Sequence, residues 1–195
     1  MSSLLRGILS LTLFFILISL TSPRTYCKEN AYYDLFDLEY SRDIYGNLTY
    51  EKFEQAKAYR EEYPFYAFNL LMESYKYMNL QRALNLSEMY GKEDACLTLM
   101  DEASDKYSII EKELKGLEFK TLPAHEWSSL SFETLREAGS LIGKASDRHA
   151  KGDFDSSLAL LVEALTSIHR AEDFLSIAKE RNNGTFQNIS YKSPL

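Results

Sequence analysis

A chain of 195 residues has room for one domain, or for one domain behind a targeting segment. With 45% hydrophobic and 13% aromatic residues it is too apolar to be disordered, and a net charge of −7 excludes nucleic acid as the main partner, since no basic surplus exists to neutralise phosphates. Only 8 Gly and 4 Pro interrupt it, which favours long helices over many short strands.

Met1–Arg6 is a short positive start, Gly7–Leu20 is apolar apart from Ser and Thr, and Thr21-Ser-Pro-Arg is polar and helix-breaking. Residues 1–22 therefore read as a secretory signal peptide; the apolar run is short of the roughly 20 residues a span needs. Pro23 is a poor residue to follow a cut, so an uncleaved N-terminal membrane anchor stays as the alternative. Arg6-Gly7-Ile8-Leu9 resembles the processing site of archaeal pilin-type precursors, whose apolar helix survives to build a filament. Cys27 follows Arg-Thr-Tyr, not the small residues that precede a lipid-modified cysteine. In an exported protein it is the candidate partner of Cys96 in one disulfide; the other reading makes Cys96 a small core residue.

A single helical domain is expected over 31–181. It starts with short helices: one from Ala31 to about Ile44, ended by Gly46-Asn47, and a second N-capped by Thr49 and running to Glu62. Tyr63-Pro64 interrupts, because the residue before proline is pushed out of helical geometry, and Pro64 suits the first turn of the next helix. That helix, to Tyr90, turns Phe68, Leu71, Met72, Tyr75, Leu86 and Met89 or Tyr90 towards the core. Gly91 ends it in left-handed geometry. The next, about Lys92–Leu114, carries Cys96, Leu97, Met100, Ala103, Tyr107, Ile110 and Leu114 inward. Gly116 and Pro123 bracket a loop holding His125 and Trp127. A helix from about Ser131 to Lys151 places Leu135, Ala138, Ile142 and Ala145 inside, and Gly152 turns the chain into a last helix, Asp153–Arg181. The tail, 182–195, is polar and expected to be disordered.

The long helices thus form two hairpins, Pro64–Leu114 and Ser131–Arg181, expected to face each other as an antiparallel four-helix bundle in an all-α fold, with the shorter N-terminal helices on one side. Gly91–Leu114 laid over Gly152–Leu175 matches at 8 of 24 positions, among them Asp94/Asp155, Leu97/Leu158, Ala103/Ala164, Glu111/Glu172 and Leu114/Leu175, which suggests an internal duplication. Ala150-Lys-Gly-Asp-Phe-Asp-Ser-Ser-Leu-Ala-Leu-Leu-Val-Glu-Ala-Leu165 resembles the inter-helix turn and second helix of a tetratricopeptide repeat. The repeat spacing here is 61 rather than that family's 34, and the echo has Glu93 where an aromatic belongs. The resemblance implies a helix–glycine–helix corner and, more distantly, peptide binding.

Four Asn-x-Ser/Thr acceptors, at Asn47, Asn85, Asn183 and Asn188, fit an exported glycoprotein; Asn85 falls within a helix and the other three in loop or tail. No Glu-x-x-His pair, His-Glu-x-x-His, zinc-spaced cysteines, phosphate loop or nucleophile elbow occurs, and no cofactor is expected. His169 reads as a surface ion-pair partner of Glu172 and Asp173, and His149 as a structural cation at a helix end. Glu111 and Glu172 continue the apolar stripes, so facing each other they would make a carboxylate metal site; splayed, they reach water. Tyr59, Tyr63, Phe65, Tyr66 and Tyr77 are the candidate binding patch. The expectation is an exported or cell-surface domain that binds protein or glycan and has no catalysis of its own. It would touch membrane only through an uncleaved N-terminal segment. The alternatives are an anchored, pilin-like structural component and the metal-binding bundle.

Overall fold

The computed structural model describes residues 42–183; the signal or anchor segment, Cys27, most of the Ala31–Ile44 helix, Asn188 and the tail from Gly184 lie outside them. The described residues are all-helical and contain no strand: α1 (Arg42–Tyr59), α2 (Pro64–Tyr90), α3 (Lys92–Gly116), α4 (Leu122–His149) and α5 (Phe154–Asn182).

The expected break at Gly46-Asn47 is absent. α1 runs straight through it, and Thr49 is a buried mid-helix residue whose hydroxyl donates to the Tyr45 carbonyl at 2.8 Å. Tertiary contact decides this. Gly46 lies against the Gln81 side chain on α2, where a Cβ would come within 3.1 Å of Nε2, and buried Ser74 donates to the Thr49 carbonyl at 2.8 Å. The glycine gives close approach of two helices and not a turn. Asn47 is consequently an exposed helical residue rather than part of a loop. α1 ends at Tyr59, three residues earlier than expected, and Pro64 opens α2 as its pattern indicates.

Gly91 sits at φ 89°, ψ 160°, a region open to glycine alone and distinct from the left-handed helical geometry expected. Gly152, at φ 75°, turns the second corner. There Asp153 caps α5, its carboxylate accepting from Ser156 N–H at 3.3 Å and from Arg148 at 3.3 Å; the hydrogen bond from Ser156 is the main cause holding this carboxyl below its ordinary range.

α4 starts nine residues before Ser131. Pro123 stands in its first turn, where a missing N–H costs nothing, and the Thr121 hydroxyl caps it by accepting from Ala124 N–H at 3.2 Å. Pro123 is thus a helix start, and Trp127 and His125 belong to the first two turns. Asn182 also leaves the expected tail: it ends α5 and its side-chain amide donates to the Glu118 carbonyl at 2.9 Å, pinning α5 to the α3–α4 linker.

The closest pair is α4 with α5. Ala124, Ser131, Ala138 and Ala145 on α4, and Ser157, Ala164, Ala171 and Ala178 on α5, recur every seventh residue, and all are fully buried. A seven-residue period keeps one seam facing its partner over the whole length, and small side chains let the backbones approach. Two hydroxyls cross this seam: Ser131 donates to the Ala171 carbonyl at 2.6 Å and Ser157 to the Ala145 carbonyl at 2.9 Å. Beside this seam α5 carries Leu158, Leu161, Leu165, Ile168 and Leu175, each at most 1% exposed, and α5 also touches α2 and α3.

α3 and α5 run side by side in the same direction. Lys92 pairs with Asp155 at 2.6 Å and the Cys96 thiol reaches the Phe154 carbonyl at 3.5 Å at one end, while Lys179 pairs with Glu113 at the other. α3 also touches α2 and α4, and α2 touches α5. The first expected hairpin is less closed than the second, because α2 packs more extensively along α1 than along α3. Phe53 and Ala56 of α1 and Leu70, Leu71, Met72 and Tyr75 of α2 form that contact. Within the two echoes Ala103/Ala164 and Leu114/Leu175 are buried alike, but Leu97 is 44% exposed where Leu158 is buried, and Leu99 takes the inward place. Met89 and Tyr90, the last two residues of α2 before Gly91, are exposed rather than inward.

Candidate functional site

The α1–α2 corner gathers four of the five residues of the expected patch. Tyr63, the residue before proline, caps α2 at φ −134°, ψ 67°, and its N–H donates to the Tyr59 carbonyl at 2.8 Å while its own carbonyl accepts from Ala67 N–H at 2.9 Å. The chain is therefore held tightly enough to keep the neighbouring rings together. Tyr59 meets Tyr63 at 6.2 Å and Tyr66 at 5.3 Å between centroids, both edge-on, at interplanar angles of 62° and 69°. Tyr63 and Tyr66 are half exposed, and Phe65, on the turn itself, is 86% exposed. Contiguous exposed rings of this kind mark contact surfaces more often than chance exposure does. Glu61 and Glu62 lie exposed beside them, with Arg60 at 3.8 Å from Glu61.

Tyr77 does not join them. It lies three helical turns along α2, roughly 16 Å away by helical rise, half-buried and stacked on Tyr45 at 6.1 Å. Burial, with Tyr77 beside it, raises the Tyr45 hydroxyl above its ordinary pKa.

A second constellation, which the sequence did not disclose, lies where α2, α3 and α5 meet. His169 is not a surface ion-pair partner of Glu172 and Asp173. Its ring is stacked on Tyr75 at 4.8 Å and 16°, and its Nε2 is enclosed without a hydrogen-bond partner. Burial, and then the charges of Lys106 and Arg82, push its pKa down to about 4, so the imidazole is neutral at pH 7. The Tyr75 hydroxyl points at Asp173 at 3.5 Å and is driven up, by burial first. Asn79 donates to Thr166 at 3.2 Å, and Glu102 holds both Arg82 at 2.7 Å and Lys106 at 3.0 Å. The signal available was Leu165–His169 at a spacing of four, which continues the buried stripe.

The remaining candidates separate. Glu111 pairs with Lys115 at 2.9 Å on its own helix and Glu172 is exposed, so neither is a core carboxylate. Among the described residues no three His, Cys, Asp or Glu side chains assemble as a metal site. Cys96 is fully buried and pairs with no cysteine among the described residues, Cys27 lying outside them; burial pushes its thiol pKa up, which makes it a poor nucleophile. His149 packs on Phe154 at 5.4 Å, and His125 is exposed. Of the glycosylation acceptors, Asn183 is exposed at the end of α5, whereas Asn85 is half-buried in α2 with its Oδ1 enclosed. An open groove of about 460 Å³ runs between the α3–α4 linker and α4, floored by Leu114, Leu117, Phe119 and Phe132. No described helix is long and apolar enough to cross a membrane. The chain matches no protein-family model, and neither curated proteins nor solved structures include a significant match.

Proposed function

We propose that this chain is an exported or cell-surface helical domain that acts by binding a protein or glycan, and that the Tyr59–Tyr66 corner is its recognition surface. The observation that carries this reading is the set of four neighbouring, solvent-facing rings on one braced turn, in a chain whose other described aromatic pairs are largely packed inward. Exposed acceptors at Asn47 and Asn183 agree with an exported surface. We also infer that α2–α5 form an antiparallel four-helix bundle of two related hairpins. Contacts of α2 with α3, α3 with α4, α4 with α5 and α5 with α2, and the glycines at the α2–α3 and α4–α5 corners, support that inference; the parallel helices α3 and α5 also touch, across the diagonal of such a bundle.

The test is affinity capture from the native surface fraction with the wild-type chain and with a Tyr63→Ser, Phe65→Ser, Tyr66→Ser variant of unchanged helicity. Loss of the captured species in the variant supports the corner; undiminished capture removes it. Mass spectrometry of the mature N-terminus separates a cleaved signal, with a start near Thr21–Arg24, from the filament alternative, which starts at Ile8.

A further inference from the structure

Resting on the binding role proposed for the aromatic corner, we propose that its ligand is a cationic side chain, arginine or lysine, on a basic segment of a partner protein. Three aromatic pairs elsewhere among the described residues are stacked, each ring covering the other's face: Phe68 on Phe174 at 5.4 Å, Tyr45 on Tyr77, Tyr75 on His169. The corner is arranged differently. Tyr63 and Tyr66 meet Tyr59 at steep angles and both stay half exposed, with Phe65 more exposed still, so ring surface here reaches solvent, and ring faces carry the negative lobe of the quadrupole that attracts organic cations.

The charges beside the rings have the matching sign. Glu61 and Glu62 are both exposed, and among the described residues Glu62 pairs with no base. Among the described residues Arg60 reaches Glu61 alone, at 3.8 Å. Lys57, one turn back on α1, is already engaged: it pairs with Glu54 at 2.7 Å and lies over the Phe53 ring at 4.8 Å. The same helix thus already seats an ammonium between a ring face and a carboxylate, and the open corner offers that pair of features to an external one. A chain of net charge −7 draws basic partners at long range.

The test uses the full chain and a ten-residue peptide alternating Arg and Gly, followed by calorimetric titration at low and moderate salt. A Glu–Gly peptide, a neutral oligosaccharide and phosphatidylcholine vesicles are the comparison probes. The Arg–Gly peptide binds, more weakly as salt rises. The Tyr63→Leu, Tyr66→Leu double variant, which keeps apolar bulk but removes the ring faces, weakens it about tenfold. Glu62→Gln weakens it about threefold without touching a ring. Circular dichroism checks the fold, and if the double variant loses helicity the single Tyr63→Leu and Glu62→Gln variants decide. Equal peptide affinity in wild type and variants overturns the proposal, as does preferential binding of the Glu–Gly peptide. Ring-dependent binding of the oligosaccharide or of vesicles rather than the Arg–Gly peptide overturns the cationic ligand and leaves the corner as a binding surface. If no probe responds to the ring substitutions and surface capture is also unchanged, both readings fall.

Discussion

Replacing His169 by phenylalanine should remove most of one pH-dependent part of this fold's stability. The imidazole is stacked on Tyr75 with Nε2 enclosed, and burial, Lys106 and Arg82 hold its pKa at about 4, against an ordinary 6.5. Between those values the unfolded chain binds a proton that the folded chain refuses. Stability is therefore fully present above pH 6.5 and falls as the pH drops towards 4. At about 1.4 kcal/mol per pKa unit, this gap corresponds to a loss of about 3 kcal/mol across the window, a large part of the stability of a domain this size. His169→Phe keeps a flat ring against Tyr75 and carries no proton, so its stability at pH 7 stays within about 1 kcal/mol of wild type. Urea unfolding followed by circular dichroism at steps from pH 7 to 4 measures both proteins. Every other ionisable group is common to both proteins and cancels in the difference. A difference that does not change with pH refutes the reasoning, and so does a His169 ring that titrates near 6.5 by NMR.

Two further outcomes follow from the packing. Leu158→Ala opens a cavity beneath α5 and costs about 2–5 kcal/mol, whereas Leu97→Ala, its counterpart in the other echo, costs under about 1 kcal/mol because that side chain is 44% exposed; chemical denaturation of both reads the contrast. Ala138→Leu in the middle of the α4–α5 seam forces those backbones apart and costs at least about 1–3 kcal/mol, lowering the melting temperature, while Ser140→Leu on the exposed side of the same helix leaves it within about 2 °C.

The helices themselves were legible because their punctuation has a local cause. Tyr63-Pro64, Gly91 and Gly152 mark corners through backbone geometry that few residues tolerate, and the stripe from Leu158 to Leu175 repeats at helical spacing. What misled was residue chemistry that serves two purposes. Gly46 has the freedom to turn a chain and also the smallness to admit Gln81, and only the presence of α2 selects the second. Pro123 breaks a helix everywhere except in its first turn, so its meaning depends on Thr121 standing ahead of it. Leu97, Leu99 and Met100 offer two adjacent stripes on α3, and the neighbour on α5 chooses between them. His169 looked exposed because Glu172 and Asp173 flank it; desolvation by Tyr75, 94 positions upstream, has no trace in its own segment. The heptad of small residues on α4 and α5 was present in the sequence throughout, but alanine and serine draw no attention when the large apolar residues are the ones followed.

Because α1 does most of its packing on α2 alone, it is the outermost of the described helices and the one with least to restrain it. Tyr59 belongs to α1 and Tyr66 to α2, so any ligand seated on both rings spans that boundary and acts as a clasp. Occupying the corner would slow amide hydrogen exchange along α1 as far as Tyr45 while leaving α4 and α5 unaffected. Recognition at this corner would then be felt as the tightening of a whole helix.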